Sequence, residues 1–261
     1  MREQKRISDS RIRTMVSLID LTNLSDNCDS AAIETLCRQA RTPVADVAAV
    51  CIWPTFISEA KNNLGLSSAV KIATVVNFPT GNESLRSVCT AIDEALSDGA
   101  DEIDYVMPYR ELVNGNILQV ASALKTVRNQ VPDNKKLKTI LETGKLGSDE
   151  LIRTAATIAI DQGADFIKTS TGKVPINATE ESARVMLDAI LNAKRKVGFK
   201  AAGGIRTLAD ADVYLRLAEE RFGQHWIDSA RFRFGASGLL QDALSNLELE
   251  ASQSPEDRGD Y

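Results

Sequence analysis

The chain has 261 residues, 43% hydrophobic and 26% charged, the composition of a soluble globular protein that can bury a sizeable core. Its net charge of -5 supplies no overall basic field for nucleic acid or an anionic membrane, and no run approaches the roughly 18 apolar residues of a membrane span. The basic start lacks the apolar stretch of a signal peptide, and Cys28, Cys37, Cys51 and Cys89 show no C-x-x-C spacing, so small-molecule chemistry by a cytoplasmic protein with reduced thiols is expected.

Residues 1–14 read as a solvated N-terminal segment, 15–247 as one domain, and the polar stretch 248–261 as a mobile tail. Within the domain, β-branched or apolar runs predict strands over 15–20, 46–52, 71–77, 102–107, 137–142, 165–169, 196–200 and 231–236. Between them lie helical patterns. Leu85, Val88, Ile92 and Leu96 fall on one helical face, with Asn82 as the expected N-cap and Gly99 as the stop. Ile117, Val120, Leu124 and Val127 repeat the pattern, as do Val185, Met186, Ala189 and Ile190, and Thr207 with Asp210 reads as a capping box. Strand and helix alternating this often predict a (β/α)8 TIM barrel in one domain, rather than an open doubly wound sheet.

Side chains alternate along a strand, and the helix-facing side of a barrel strand must be apolar. Ile167, Phe199, Ile103 and Tyr105 take that side, which sends Lys168, Lys200 and Asp104 inward. Active sites of such barrels lie at the C-terminal strand ends, where these residues fall. Alternation alone leaves two readings open, buried ion pairs with Asp104 or Glu142, or a reactive amine. Two buried ammonium groups side by side depress the pKa of one, and a free lysine amine attacks carbonyls, so Schiff-base chemistry is the consequence.

The turns after the last two strands are glycine-rich, with Gly203, Gly204 and Arg206 in one and Ser237 and Gly238 in the other. Glycine lets the backbone approach an anion, and these are the two positions where barrels often hold phosphate. Thr171, Gly172 and Lys173 add a hydroxyl and a cation from the sixth strand. No P-loop sequence is present. His225, the single histidine, falls in a loop at the opposite end of the barrel, and without a His or Cys cluster no metal or other cofactor is expected. Asp101, Glu102 and Asp104 are read as pairing or capping carboxylates rather than Mg²⁺ ligands.

Motifs carry the reading further. FIKTSTGK (166–173), VGFKAAGGIRT (197–207), GADEIDYVMPYR (99–110), ILETGKL (140–146) and RFGASGLL (233–240) resemble the deoxyribose-phosphate aldolase family of the long bacterial type, and the resemblance spans nearly the whole chain. It implies reversible cleavage of 2-deoxy-D-ribose 5-phosphate to acetaldehyde and D-glyceraldehyde 3-phosphate, without a metal. By resemblance Lys168 is the Schiff-base lysine, Lys200 the lysine that perturbs it, and Asp104 the aspartate of a proton relay. Thr171, Gly172, Lys173, Gly203, Gly204, Arg206, Ser237 and Gly238 match substrate positions. Asp20 and Cys51 match pocket-lining residues, Tyr261 a C-terminal tyrosine that moves a proton, and a homodimer is implied. Gly238 stands where the family commonly has a second Ser, and Ala201 where it has Pro. A transaldolase-like barrel, a sugar-phosphate isomerase and a non-catalytic sugar-phosphate sensor are the rival readings.

Overall fold

The computed structural model describes residues 7–253. Its strands are β1 (Ile19–Asn23), β2 (Ala49–Ile52), β3 (Lys71–Val76), β4 (Glu102–Val106), β5 (Lys136–Ile140), β6 (Phe166–Lys168), β7 (Gly198–Ala202) and β8 (Phe232–Ala236). They pair in parallel and in chain order, β8 closes on β1, and helices interleave with them, so the fold is the expected (β/α)8 TIM barrel. Among the described residues no helix is long and apolar enough to cross a membrane.

Local chemistry sets the helix limits. Helix Leu85–Asp98 starts at Ser84, whose side chain accepts from the Ser87 N–H at 3.1 Å. The expected cap Asn82 is taken up instead by the Thr80 hydroxyl. Gly99 ends the helix at φ 111°, a left-handed conformation that suits glycine. Thr207 and Asp210 form the expected capping box at the start of helix Leu208–Phe222.

Both chain ends differ from expectation. Residues 15–17 are the last turn of a helix, Asp9–Ser17, and β1 begins only at Ile19. Ser8 caps this helix, its apolar face of Ile12, Met15 and Val16 is buried, and it packs on helices Leu208–Phe222 and Leu239–Gln253. Residues 9–14 are therefore helical and fixed to the barrel's wall through Ile12, while Asp9, Ser10, Arg13 and Thr14 face solvent. Arg11 fastens them, with Nε 2.5 Å from Asp212 and an Nη 2.6 Å from Glu219. Helix Leu239–Gln253 likewise runs past the start of the expected tail, while Tyr261 lies outside the described residues.

Alternation divides the barrel into two layers. Ile103, Tyr105, Leu137, Ile167, Phe199, Phe232 and Phe234 pack outward into one large apolar core beneath the helices. The inner layer is different, with small apolar residues on β2 and β3 and mainly charged side chains on the other strands. Phe166 fills the interior opposite Gly198, where a Cβ would stand 2.3 Å from its ring, so only glycine fits. Gly198→Ala is expected to lower unfolding stability by about 1–3 kcal/mol through overpacking, measured by urea denaturation.

Candidate active site

Asp104, Lys168 and Lys200 meet inside the barrel. Asp104 Oδ2 accepts from Lys168 Nζ at 2.7 Å and from Lys200 Nζ at 2.8 Å, and Lys200 also reaches Asp20 Oδ2 at 2.5 Å. The parallel register that sets Lys168 directly beside Lys200 produces this convergence. Thr169 reinforces it, donating to the Ala202 carbonyl at 3.0 Å and accepting from the Ala202 N–H at 2.9 Å.

The sequence reading missed the lower half of the cluster. Lys138 on β5 lies 2.5 Å from Glu102, 2.9 Å from Asp104 and 3.1 Å from Asp20. Arg233 on β8 bridges Asp20 at 2.5 Å and Glu102 at 2.9 Å, with its guanidinium 5.6 Å from the Phe166 ring centroid. The alternation that marks Lys200 marks both, since Lys138 stands beside the buried Leu137 and Arg233 between Phe232 and Phe234. Gly235 belongs to β8; a Cβ there would stand 2.8 Å from Ala202 Cβ and 3.1 Å from Lys200 Cε, so the glycine makes room for both.

The cluster's charges do not balance. Asp20, Glu102 and Asp104 face Lys138, Lys168, Lys200 and Arg233, three carboxylates against four cationic groups. An uncompensated buried charge is expensive, and the group with the weakest compensation is the one to lose its proton. Lys138 touches three carboxylates, Lys200 and Arg233 touch two each, and Lys168 touches only Asp104, which it shares. Burial accordingly holds the Lys168 ammonium below the usual lysine range, with Lys200 pushing the same way against the attraction of Asp104. Burial opposes the charges of Lys200 and Lys138 too, but their carboxylate partners outweigh it and hold both above that range. Burial would raise Asp104 and Asp20; the surrounding lysines more than reverse this and keep both ionised. Of the four cationic groups, Lys168 is the one whose surroundings most favour loss of its proton.

Cys51 is buried with Ala49, Ala73, Val75 and Leu24 in a small apolar wall beside the lysines, and burial pushes its thiol up and away from the thiolate form. Above Lys168, the Thr171 hydroxyl donates to Glu142 at 2.5 Å and accepts from the Lys173 N–H at 3.1 Å. Gly172 turns the chain at φ 82°, and Lys173 Nζ reaches the Leu24 carbonyl at 2.8 Å and Asp26 at 3.5 Å, tying the turn after β6 to that after β1. Gly203 and Gly204 form a left-handed turn at φ 87° and 86°; a Cβ on Gly203 would strike Asn177, while Gly204 faces open space. Ser237 and Gly238 lead into helix Leu239–Gln253, and Gly238 lies beside the Arg206 carbonyl, so the turns after β7 and β8 are adjacent.

Other residues stand apart. His225 lies in the short helix Gln224–Trp226 ahead of β8, at the opposite end of the barrel. The carboxylates of Glu102 and Asp104 are engaged by cations, and Asp101 pairs with Lys135 at 3.1 Å and the Ile72 N–H at 3.1 Å. Among the described residues no cluster of His, Cys, Asp and Glu is arranged to hold a metal ion.

A closed barrel thus gathers lysines and carboxylates in its interior. Residues 14–240 match the DeoC/LacD family aldolases, and the chain belongs to that family of carbon–carbon lyases. It is 50% identical over 232 residues to the deoxyribose-phosphate aldolase of Agrobacterium fabrum, covering 89% of this chain and 90% of that one. A solved structure from Coccidioides immitis, of a protein proposed to be a deoxyribose-phosphate aldolase, superposes with TM-score 0.81 at 28% identity, over 90% of this chain and 87% of its own. The tetrameric deoxyribose phosphate aldolase of Aeropyrum pernix shares the fold, with TM-score 0.70 at 24% identity over 94% and 93% of the two chains.

Proposed function

We propose that this enzyme is a class I deoxyribose-phosphate aldolase, cleaving 2-deoxy-D-ribose 5-phosphate reversibly to D-glyceraldehyde 3-phosphate and acetaldehyde through a Schiff base on Lys168. The observation that carries the reading is the isolation of Lys168, the least compensated amine of an otherwise charged and tightly paired cluster. The 50% identical aldolase supports the substrate.

In this mechanism the Lys168 amine adds to the C1 carbonyl, and the carbinolamine loses water to give a protonated imine. The imine nitrogen accepts the electron pair of the C2–C3 bond as the C3 hydroxyl gives up its proton, releasing glyceraldehyde 3-phosphate and leaving an enamine. Protonation of the enamine and hydrolysis return acetaldehyde and free lysine. Lys200, held charged between Asp104 and Asp20, supplies the positive field, and the Asp104–Lys200 pair carries protons to and from the carbinolamine as general acid and base. Tyr261 or a water on this relay is proposed to protonate the enamine. The small wall of Ala49, Cys51 and Ala73 suits a two-carbon fragment.

The remote phosphate is assigned to the adjacent turns of Gly203, Gly204, Arg206, Ser237 and Gly238, where glycine backbone and a helix start offer free N–H groups. Thr171, Gly172 and Lys173 would orient the sugar from the other side. A Cβ at 238 would meet no atom beyond its chain neighbours closer than the Arg206 carbonyl at 3.9 Å, so Gly238→Ser is expected to fold normally. Its added hydroxyl should lower KM for the phosphorylated sugar about threefold to tenfold, read against the unphosphorylated sugar as control.

The test of the reading is direct assay. Purified protein given deoxyribose 5-phosphate should release acetaldehyde and glyceraldehyde 3-phosphate in equal amounts, with or without a chelator; absence of either product contradicts it. A homodimer in the cytoplasm is proposed as the working form, checked by light scattering and cell fractionation.

A further inference from the structure

The geometry points to Glu142 as a positioning residue that orients the Thr171 hydroxyl toward a hydroxyl of the substrate, an inference that rests on the aldolase reading above. Glu142 follows β5, is fully buried, and holds φ 58° and ψ 57°, a left-handed conformation that costs a residue with a side chain. Among the described residues the one other non-glycine in that region is Asn77, whose side chain explains itself by bonding the Val106 carbonyl at 2.8 Å and the Glu83 N–H at 2.8 Å. Glu142 does no such local work.

Its backbone is forced by its neighbours. Leu141 N–H donates to the Lys168 carbonyl at 2.9 Å and Thr143 N–H to the Thr169 carbonyl at 3.0 Å, so the chain is pinned to β6 on both sides of residue 142. The carboxyl is thereby aimed at the turn just beyond Lys168, accepting from the Thr171 hydroxyl at 2.5 Å and from its N–H at 3.3 Å. It makes no ion pair among the described residues, and burial pushes it above the usual carboxyl range. A buried, unpaired carboxyl on strained backbone is a poor structural element and a good clamp.

The clamp fixes the direction of one hydrogen. Thr171 spends its hydroxyl proton on Glu142 and accepts from the Lys173 N–H, which leaves its oxygen a single lone pair. Toward the barrel mouth Thr171 then acts as an acceptor, and the group it receives is a hydroxyl donor. Such a group is present on the hydroxylated aldehyde half of the substrate and absent from acetaldehyde. Glu142 thus selects the hydroxylated partner through Thr171 without touching it.

The experiment uses Glu142→Asn, Glu142→Gln, Thr171→Val and the Asn/Val double variant of the full chain. Asn tolerates the left-handed backbone but is too short to reach Thr171, whereas Gln keeps both length and an accepting oxygen. Readouts are kcat and KM with deoxyribose 5-phosphate, the rate of borohydride trapping of acetaldehyde on Lys168, and the thermal midpoint. Glu142→Asn and Thr171→Val are each expected to lower kcat/KM by about 10–100-fold, while trapping of acetaldehyde stays within about twofold of wild type. Gln should restore most of the loss, and the double variant should be no worse than either single one. Unchanged kcat/KM in Glu142→Asn, or a loss of trapping equal to the loss of cleavage, would overturn the clamp. Additive losses in the double variant would do so as well. Wild-type protein that traps no acetaldehyde contradicts the aldolase reading itself, and the clamp with it.

Discussion

Lys168→Met is expected to abolish turnover of deoxyribose 5-phosphate, by on the order of 10⁴-fold or more, because no other amine of the cluster is free to attack. Lys138 and Lys200 are each held charged by at least two carboxylates, so neither substitutes. The stability consequence runs the other way. A buried base whose folded-state pKa is depressed disfavours folding below its unfolded pKa, by a penalty that grows as pH falls from the unfolded to the folded pKa and is constant below that. Methionine removes that penalty and nearly matches the volume, while Asp104 keeps Lys138 and Lys200 as partners. The variant should therefore melt at or above the wild-type temperature in neutral buffer while being inactive. Calorimetry beside the assay checks both halves.

Asp104→Asn is the second large effect, and here both properties fall together. One carboxylate compensates three lysines, Lys138 at 2.9 Å, Lys168 at 2.7 Å and Lys200 at 2.8 Å. Its neutralisation leaves buried positive charge unpaired, a loss of roughly 3–5 kcal/mol for a fully buried pair. The Asp104 carboxylate has a folded pKa well below its ordinary value, so its stabilisation is complete above the unfolded pKa near 3.9 and is lost as pH falls below it. Denaturation of wild type and Asp104→Asn should consequently differ most above about pH 5 and converge on acidification. Turnover should fall about 10²–10⁴-fold, since the proton route to the carbinolamine is removed.

The three residues given the central roles were legible because each sits next to an unambiguous helix-facing neighbour, Ile167, Phe199 or Ile103. Lys138 obeys the same rule but follows Lys136, which is exposed, so the strand reads as a solvated edge until the barrel closes around it. Arg233 lies in an aromatic run that reads as packing alone. The N-terminal helix was hidden because its apolar face is only Ile12, Met15 and Val16 within a basic stretch, and the partners that bury Arg11, Asp212 and Glu219, come from a distant helix. The left-handed backbone of Glu142 is set by hydrogen bonds to β6 on either side. No local residue preference announces it. Gly198 and Gly235 show the same limit, since the strands containing them are legible but the close approach of Phe166 and Lys200 that requires glycine there is not.

Borohydride reduction in the presence of acetaldehyde, followed by peptide mass mapping, tests the central claim most directly. One reduced two-carbon adduct is expected, on Lys168 in the FIKTSTGK peptide, with Lys138 and Lys200 unmodified. An adduct on Lys200 or Lys138, or none at all in protein that cleaves deoxyribose 5-phosphate, would contradict it.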